Sequence, residues 1–153
     1  AGGNQSCTYV QAPYPNPPIN EIKMISCTDV GGVEVTIPQG VTMGSLFVAD
    51  AYACHTYASQ GGMRCFGSNA FGQWGTGATG SATVATLSGY APTTFGSSFT
   101  CSTTSCAGSN TNGQLGNGST ASSSFAPTAI SGGSMTTVVA SAGGTHACGI
   151  RGG

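Results

Sequence analysis

Charge is nearly missing from this chain. Only 5% of its 153 residues are Asp, Glu, Lys or Arg, against about 25% in ordinary soluble domains. The cations are Lys23, Arg64 and Arg151; the carboxylates are Glu21, Asp29, Glu34 and Asp50. So few cations cannot neutralise a run of phosphates, so no nucleic-acid partner is expected. A polybasic segment for anionic lipid is missing for the same reason. The carboxylates form no recognisable acid–base pair, and no Ser-His-Asp arrangement or phosphate-binding loop is present. Asp50 and His55 are five positions apart, which on a strand sets them on opposite faces. The expectation is therefore a protein that is not an enzyme. Long apolar runs are missing too: the stretch near Leu46-Phe47-Val48 is far too short to span a bilayer. Helical periodicity is absent throughout.

What is abundant is glycine, with 26 residues, together with Ser, Thr and Ala. The most informative feature is a ruler of cysteines. Cys7, Cys54, Cys101 and Cys148 recur every 47 residues without drift. A fixed period of roughly 20 to 50 residues marks a solenoid, a propeller or an array. Each ruler cysteine follows a small residue (Ser6, Ala53, Thr100, Ala147), and that residue follows a larger one (Gln5, Tyr52, Phe99, His146). Alternation of large and small has the period of a strand, and the small position would let a neighbouring sheet approach closely. His55 and His146 lie near cysteines, which raises a zinc site. The phase mates of His146 are non-ligands, however, so neither metal nor cofactor is expected.

A second signature occurs twice. One copy runs Gly67-Ser68-Asn69-Ala70-Phe71-Gly72-Gln73-Trp74-Gly75-Thr76-Gly77. The other runs Gly108-Ser109-Asn110-Thr111-Asn112-Gly113-Gln114-Leu115-Gly116-Asn117-Gly118. The glycines supply positive φ or close backbone approach. Asn69 and Asn110 can bond their own backbone in a turn. Trp74 and Leu115 are the apolar anchors. The whole signature reads as turn chemistry and packing.

The combined pattern resembles the repeats of the regulator of chromosome condensation family: a strand ending in Cys, a hairpin, a second Cys, then Gly-Ser-Asn and Gly-Gln-Leu-Gly. The resemblance covers residues 48–80 and 95–120 well and 135–148 in part. It implies a β-propeller architecture of four-stranded antiparallel blades. The first repeat departs from it, with a proline-rich stretch at residues 12–18 and no Gly-Ser-Asn signature. The resemblance to a chromatin protein does not extend to its chromatin role, because basic patches are missing.

Cysteine usage points to an oxidising compartment. Cys7 with Cys27, Cys54 with Cys65, and Cys101 with Cys106 look like successive hairpin partners, each linking adjacent strands. Cys148 is then the odd cysteine, a candidate for a bond to another chain. Asn117 and Asn4 open formal N-glycosylation triplets, Asn117 the better placed in a Gly-rich loop. The Ser/Thr run from Ser119 to Ser124 could carry O-linked sugars. A surface this poor in charge calls for covering by glycans or neighbouring subunits. The opening at Ala1 fits a product of leader cleavage.

The fold expectation is all-β: about three antiparallel propeller-type blades of 47-residue period, stapled by disulfides and not closed within one chain. The divisions are 1–47, a divergent first repeat with a proline-rich arm at 11–20; 48–94; 95–141; and 142–153, the start of a further repeat. Strands are expected at 5–10, 23–28, 33–37, 45–49, 51–58, 62–66, 84–87, 98–102, 104–107, 135–141 and 145–150. Residues 76–95 should be a connection containing one strand. The chain opens and closes in the same phase, so a self-contained ring is not expected. Two functions follow. The first is a structural subunit of an extracellular or cell-surface fibre, whose partners are other copies of itself in a homo-oligomer or helical filament. The second is a fragment of a secreted propeller that binds a protein, with Tyr52, Phe71, Trp74, Tyr90, Phe95 and Phe99 as anchors or, more often in such folds, as core.

Overall fold

The structure is a computed structural model that describes residues 7–11, 20–27, 31–38, 43–57, 62–80, 82–121 and 123–152. All of its regular elements there are strands. In chain order they are β1 (Cys7–Gln11), β2 (Asn20–Cys27), β3 (Gly31–Pro38), β4 (Met43–Val48), β5 (Tyr52–Tyr57), β6 (Met63–Gly67) and β7 (Ala82–Leu87). They continue as β8 (Thr94–Phe95), β9 (Phe99–Cys101), β10 (Ser105–Ser109), β11 (Ser123–Ala129), β12 (Thr137–Ala140) and β13 (Ala147–Ile150).

These strands form antiparallel meanders. Two sheets have four strands each, in the orders β4-β5-β6-β7 and β8-β9-β10-β11. A third has the order β1-β2-β3, and the last pairs β12 with β13. The ruler now has a structural meaning. Cys54 and Cys101 lie on β5 and β9, the second strand of each complete sheet, and Cys148 lies on β13, the second of its pair. The sheets do not close into a barrel, and the all-β, blade-like architecture expected from the repeat is what the chain adopts.

The sheets stack face to face. Tyr52, Cys54, Met63, Cys65 and Leu87 on one sheet meet Phe95 and Ala107 on the next, with Trp74 and Tyr90 between them. Phe47 and Phe95 stack across this junction at 4.4 Å between ring centroids. The opposite face of the second sheet carries Phe99, Cys101 and Cys106, which pack with Leu115, Ile130 and Val138, so β12–β13 lies on that side. Full burial of each such side chain stabilises by about 1.5–3 kcal/mol. A strand covered on both faces cannot alternate apolar with polar. On β5, Tyr52, Ala53, Cys54 and His55 are all fully buried, and the alternation is one of size instead.

Two strands escaped the sequence reading. β8 has only two residues. β11 carries Pro127 within a Ser-rich run, and a proline inside a candidate strand argues against one. β11 tolerates it because it is an edge strand, and its register with β10 shifts between Cys106 and Gly108. The connection at 76–95 accordingly holds β7 and all of β8 rather than a single strand. Of the proline-rich arm, Gln11 and Asn20 belong to the paired strands β1 and β2, and residues 12–19 lie outside the described residues.

Candidate functional site

Each complete sheet is stapled at its centre. Cys54 stands directly opposite Cys65, and Cys101 opposite Cys106, in the strand registers. Both pairs are disulfide-bonded with Cα atoms 4.1 Å apart. Cys7 and Cys27 occupy the same relation in the β1–β2 register; their side chains lie outside the described residues. Cys148 is different. It carries a free, exposed thiol on β13, opposite Val139.

The signature turns are clamps. Asn69 Oδ1 accepts a hydrogen bond from the Trp74 amide at 3.0 Å, while its Nδ2 donates to the Ala78 carbonyl at 2.9 Å. Asn110 repeats both bonds with the Leu115 amide and the Ser119 carbonyl. Gln73 and Gln114 each accept from the amide two residues earlier, at 3.1 and 2.9 Å. All four amide side chains are buried. Buried polar groups without partners would cost about 1–3 kcal/mol each, so these residue types are demanded by the turn itself. Gly108 has φ of 113°, and a Cβ there would collide with the Ser98 carbonyl and lie 2.7 Å from Phe99 Cα. Only glycine fits that approach.

Polar bonds also cross between sheets. The Tyr52 hydroxyl shares its one proton between the carbonyls of Gly96 and Phe99, at 2.9 and 3.0 Å. Thr100 Oγ1 donates to the Gln73 carbonyl at 2.6 Å, which is the close approach that the small ruler position permits. Tyr90 donates to the Thr100 carbonyl at 2.8 Å. Burial raises the hydroxyl pKa of both tyrosines, so neither ionises in this setting.

His55 is the least expected feature. It is fully buried on β5, edge-on to Tyr57 with ring centroids 5.1 Å apart. Arg64, opposite it on β6, sits 5.0 Å over the Tyr57 ring. The Thr56 backbone approaches the imidazole but makes no well-formed hydrogen bond with either nitrogen, and the Tyr57 hydroxyl has no hydrogen-bond partner. Burial, and then the Arg64 charge, lower its pKa to about 4, so the ring is neutral at neutral pH. Its phase mate in the next sheet is Ser102, so the ruler gave no signal for it. Tyr57, Met63, Leu87 and Tyr90 line a cavity of about 450 Å³. Its walls bring no cluster of ionisable groups together, and no group of three or more metal-ligating side chains occurs among the described residues.

Asn117 sits in its predicted loop, half-buried, with Oδ1 accepting from the Ser119 amide at 3.1 Å and from Asn110 Nδ2 at 3.3 Å. Asn4 lies outside the described residues. Of the aromatic anchors, Tyr52, Trp74, Tyr90, Phe95 and Phe99 are buried in the junctions. Phe71 is exposed, as is Phe125, which the sequence reading passed over.

Besides Phe71 and Phe125, the exposed large apolar side chains among the described residues are on β12–β13. Val139 is 58% exposed and Ile150 68%, on the face opposite the one that packs on Leu115. Cys148 shares that face. In the two four-stranded sheets the corresponding cysteine face is covered by the next sheet. No helix among the described residues is long and apolar enough to cross a membrane.

Residues 106–150 match the family model described as the Regulator of chromosome condensation (RCC1) repeat. The matched segment runs from the second half of one sheet through β13, and it contains the Asn110 and Gln114 clamp. That segment is similar to an RCC1-type repeat, as the signature residues imply. A search of curated proteins found no match.

Proposed function

We propose that this chain of RCC1-type blades is a structural subunit of an extracellular fibre or surface assembly, built by head-to-tail stacking of its β repeats. One observation carries the reading: a single repeated position has two fates. Cys54 and Cys101 are bridged and covered by the next sheet, whereas Cys148, in the same phase, is free and exposed beside Val139 and Ile150. A face built to be covered in two sheets and bare in the third invites another sheet. The contact would be heterologous, and such contacts propagate unless the rotation closes. The near absence of charge supports a surface that is largely covered. The two disulfides fit an oxidising, extracellular setting. Glycans on Asn117 would add to that cover on exposed loops. The reading assigns no catalytic role: His55, the one buried imidazole, is neutral at neutral pH and makes no well-formed hydrogen bond. A hydrolase screen that found activity lost in His55→Ala would reverse that assignment.

A second reading has its own observation. Phe71 and Phe125 are 44% and 47% exposed, and a Cβ on Gly72 would lie 2.6 Å from Phe125 Cα, so Phe125 lies against the turn that carries Phe71. Exposed aromatic groups suit a protein-binding module. Native mass separates the two. Light scattering on the non-reduced protein should give species many times the mass of one chain if it is a fibre subunit. A monodisperse single chain that captures a partner through Phe71 and Phe125 would favour the module.

A further inference from the structure

We propose that Asn117 is a site of spontaneous modification: the Gly118 amide nitrogen attacks its side chain, and the turn ages from a neutral amide into an acid, partly as isoaspartate. This chemistry is independent of how the chain assembles. Asn-Gly occurs twice in the sequence, at Asn112-Gly113 and Asn117-Gly118. Both pairs belong to the second signature turn. Glycine has no Cβ, so its amide nitrogen approaches the preceding side chain with the least steric resistance. By sequence the two pairs rank together. The structure separates them.

At Asn117 both reacting groups are prepared. The attack places negative charge on Oδ1. That atom already accepts from the Ser119 amide at 3.1 Å and from Asn110 Nδ2 at 3.3 Å. Donors fixed where charge develops lower a barrier, as in an oxyanion hole. The nucleophile is free: the Gly118 amide donates to no acceptor among the described residues. At Asn112 the situation is reversed. The Gly113 amide donates to the Asn110 carbonyl at 2.9 Å, so attack would break a bond of the turn. Asn112 is itself bonded through its main-chain amide, to Gln114 Oε1, and no donor meets its side-chain oxygen among the described residues. Asn112 is the exposed one of the two and Asn117 is half-buried, so access to solvent alone would give the opposite order.

The steps balance with water as the sole co-reactant. The Gly118 nitrogen bonds to Asn117 Cγ, the Cγ–Nδ2 bond breaks, and the amide proton leaves with Nδ2 as ammonia. The product is a five-membered succinimide. Water then opens the ring: at Cγ it gives aspartate, and at the main-chain carbonyl carbon it gives isoaspartate. No electron transfer is involved. Each conversion adds one negative charge to a chain that holds four carboxylates. Isoaspartate also lengthens the main chain by one carbon between Leu115 and Ser119, the two partners that Asn110 clamps. The first signature turn has Phe71 and Thr76 at the two positions, so it cannot age in this way. A glycan on Asn117 and this cyclisation compete for one side chain.

The test ages the full, non-glycosylated chain, made in a bacterial periplasm, in neutral buffer prepared with heavy-oxygen water. Peptides are mapped by mass, and isoaspartate is identified by electron-transfer fragmentation. Asn117 should gain one heavy oxygen about tenfold or more faster than Asn112, with isoaspartate among the products. The two rates should converge when the chain is unfolded in guanidinium. Equal rates in the folded chain, faster conversion of Asn112, or no conversion at either overturns the proposal. So does a rate ratio that is the same folded and unfolded, because local sequence would then set it. Aspartate without isoaspartate would mean direct hydrolysis and overturns it as well. Asn117→Thr, which installs the residue of the first turn, should abolish the fast phase; a fast phase that persists overturns the assignment.

Discussion

The sheets β4–β7 and β8–β11 are two versions of one unit, and they differ where it is instructive. Their turns are the same. Asn69 and Asn110 make matching bonds, and Gly72 and Gly113 share φ values of 72° and 71°. Their apolar anchors are not the same. Trp74 fills the junction between two complete sheets, with Tyr52, Tyr90 and Phe95 around it. Leu115 sits over the two-stranded β12–β13 and leaves a cavity of about 80 Å³, lined also by Ile130, Met135, Val138 and Ala147. The polar clamp sets the shape of the turn, and the anchor answers to what lies on top of it. The first junction should therefore be the stronger.

The largest expected effect tests that order. Trp74→Ala should cost about 4 kcal/mol and Leu115→Ala about 3 kcal/mol, read by urea unfolding. The reverse order would break the comparison, because it would mean that the two-stranded sheet is packed as tightly as the complete one.

The staples differ next. Cys54–Cys65 closes an interval of 11 residues and Cys101–Cys106 one of 5. Loop-closure entropy gives about 3 kcal/mol for the first and about 2 kcal/mol for the second. Replacing each pair by serines and comparing thermal midpoints measures the gap. Equal losses would show that chain entropy does not set their contributions.

The smallest expected effect belongs to one sheet alone. An unfolded histidine titrates near 6.5 and folded His55 near 4, so between these values the unfolded chain binds more protons. Stability should fall as pH drops through that window, by about 2 kcal/mol between pH 7 and pH 5, and the His55 contribution should level off below about pH 4. His55→Leu should flatten the slope. A slope that survives the substitution would place the acid sensitivity elsewhere.

Much of this was legible in the sequence, for physical reasons. The 47-residue ruler marks an inner strand of each complete sheet, where a cross-strand bond leaves little freedom of position, so Cys54 and Cys101 keep their phase. The clamp residues Asn69, Gln73, Asn110 and Gln114 were legible because each satisfies backbone groups only a few residues away. β8 and β11 were not legible: two residues carry no period, and Pro127 is tolerated only through an edge position that tertiary structure decides. Nor was His55, whose burial comes from the stacking of sheets. Tyr52 and Thr100 showed as large and small positions, but their bonds to Gly96, Phe99 and Gln73 depend on which sheet lies opposite.

Electron microscopy of the non-reduced chain tests the central claim most directly. Head-to-tail stacking of the sheets predicts filaments or extended arrays in which one axial step corresponds to one chain and the β12–β13 face is covered at every junction. A field of single compact particles, with Cys148 still free and exposed, would contradict it.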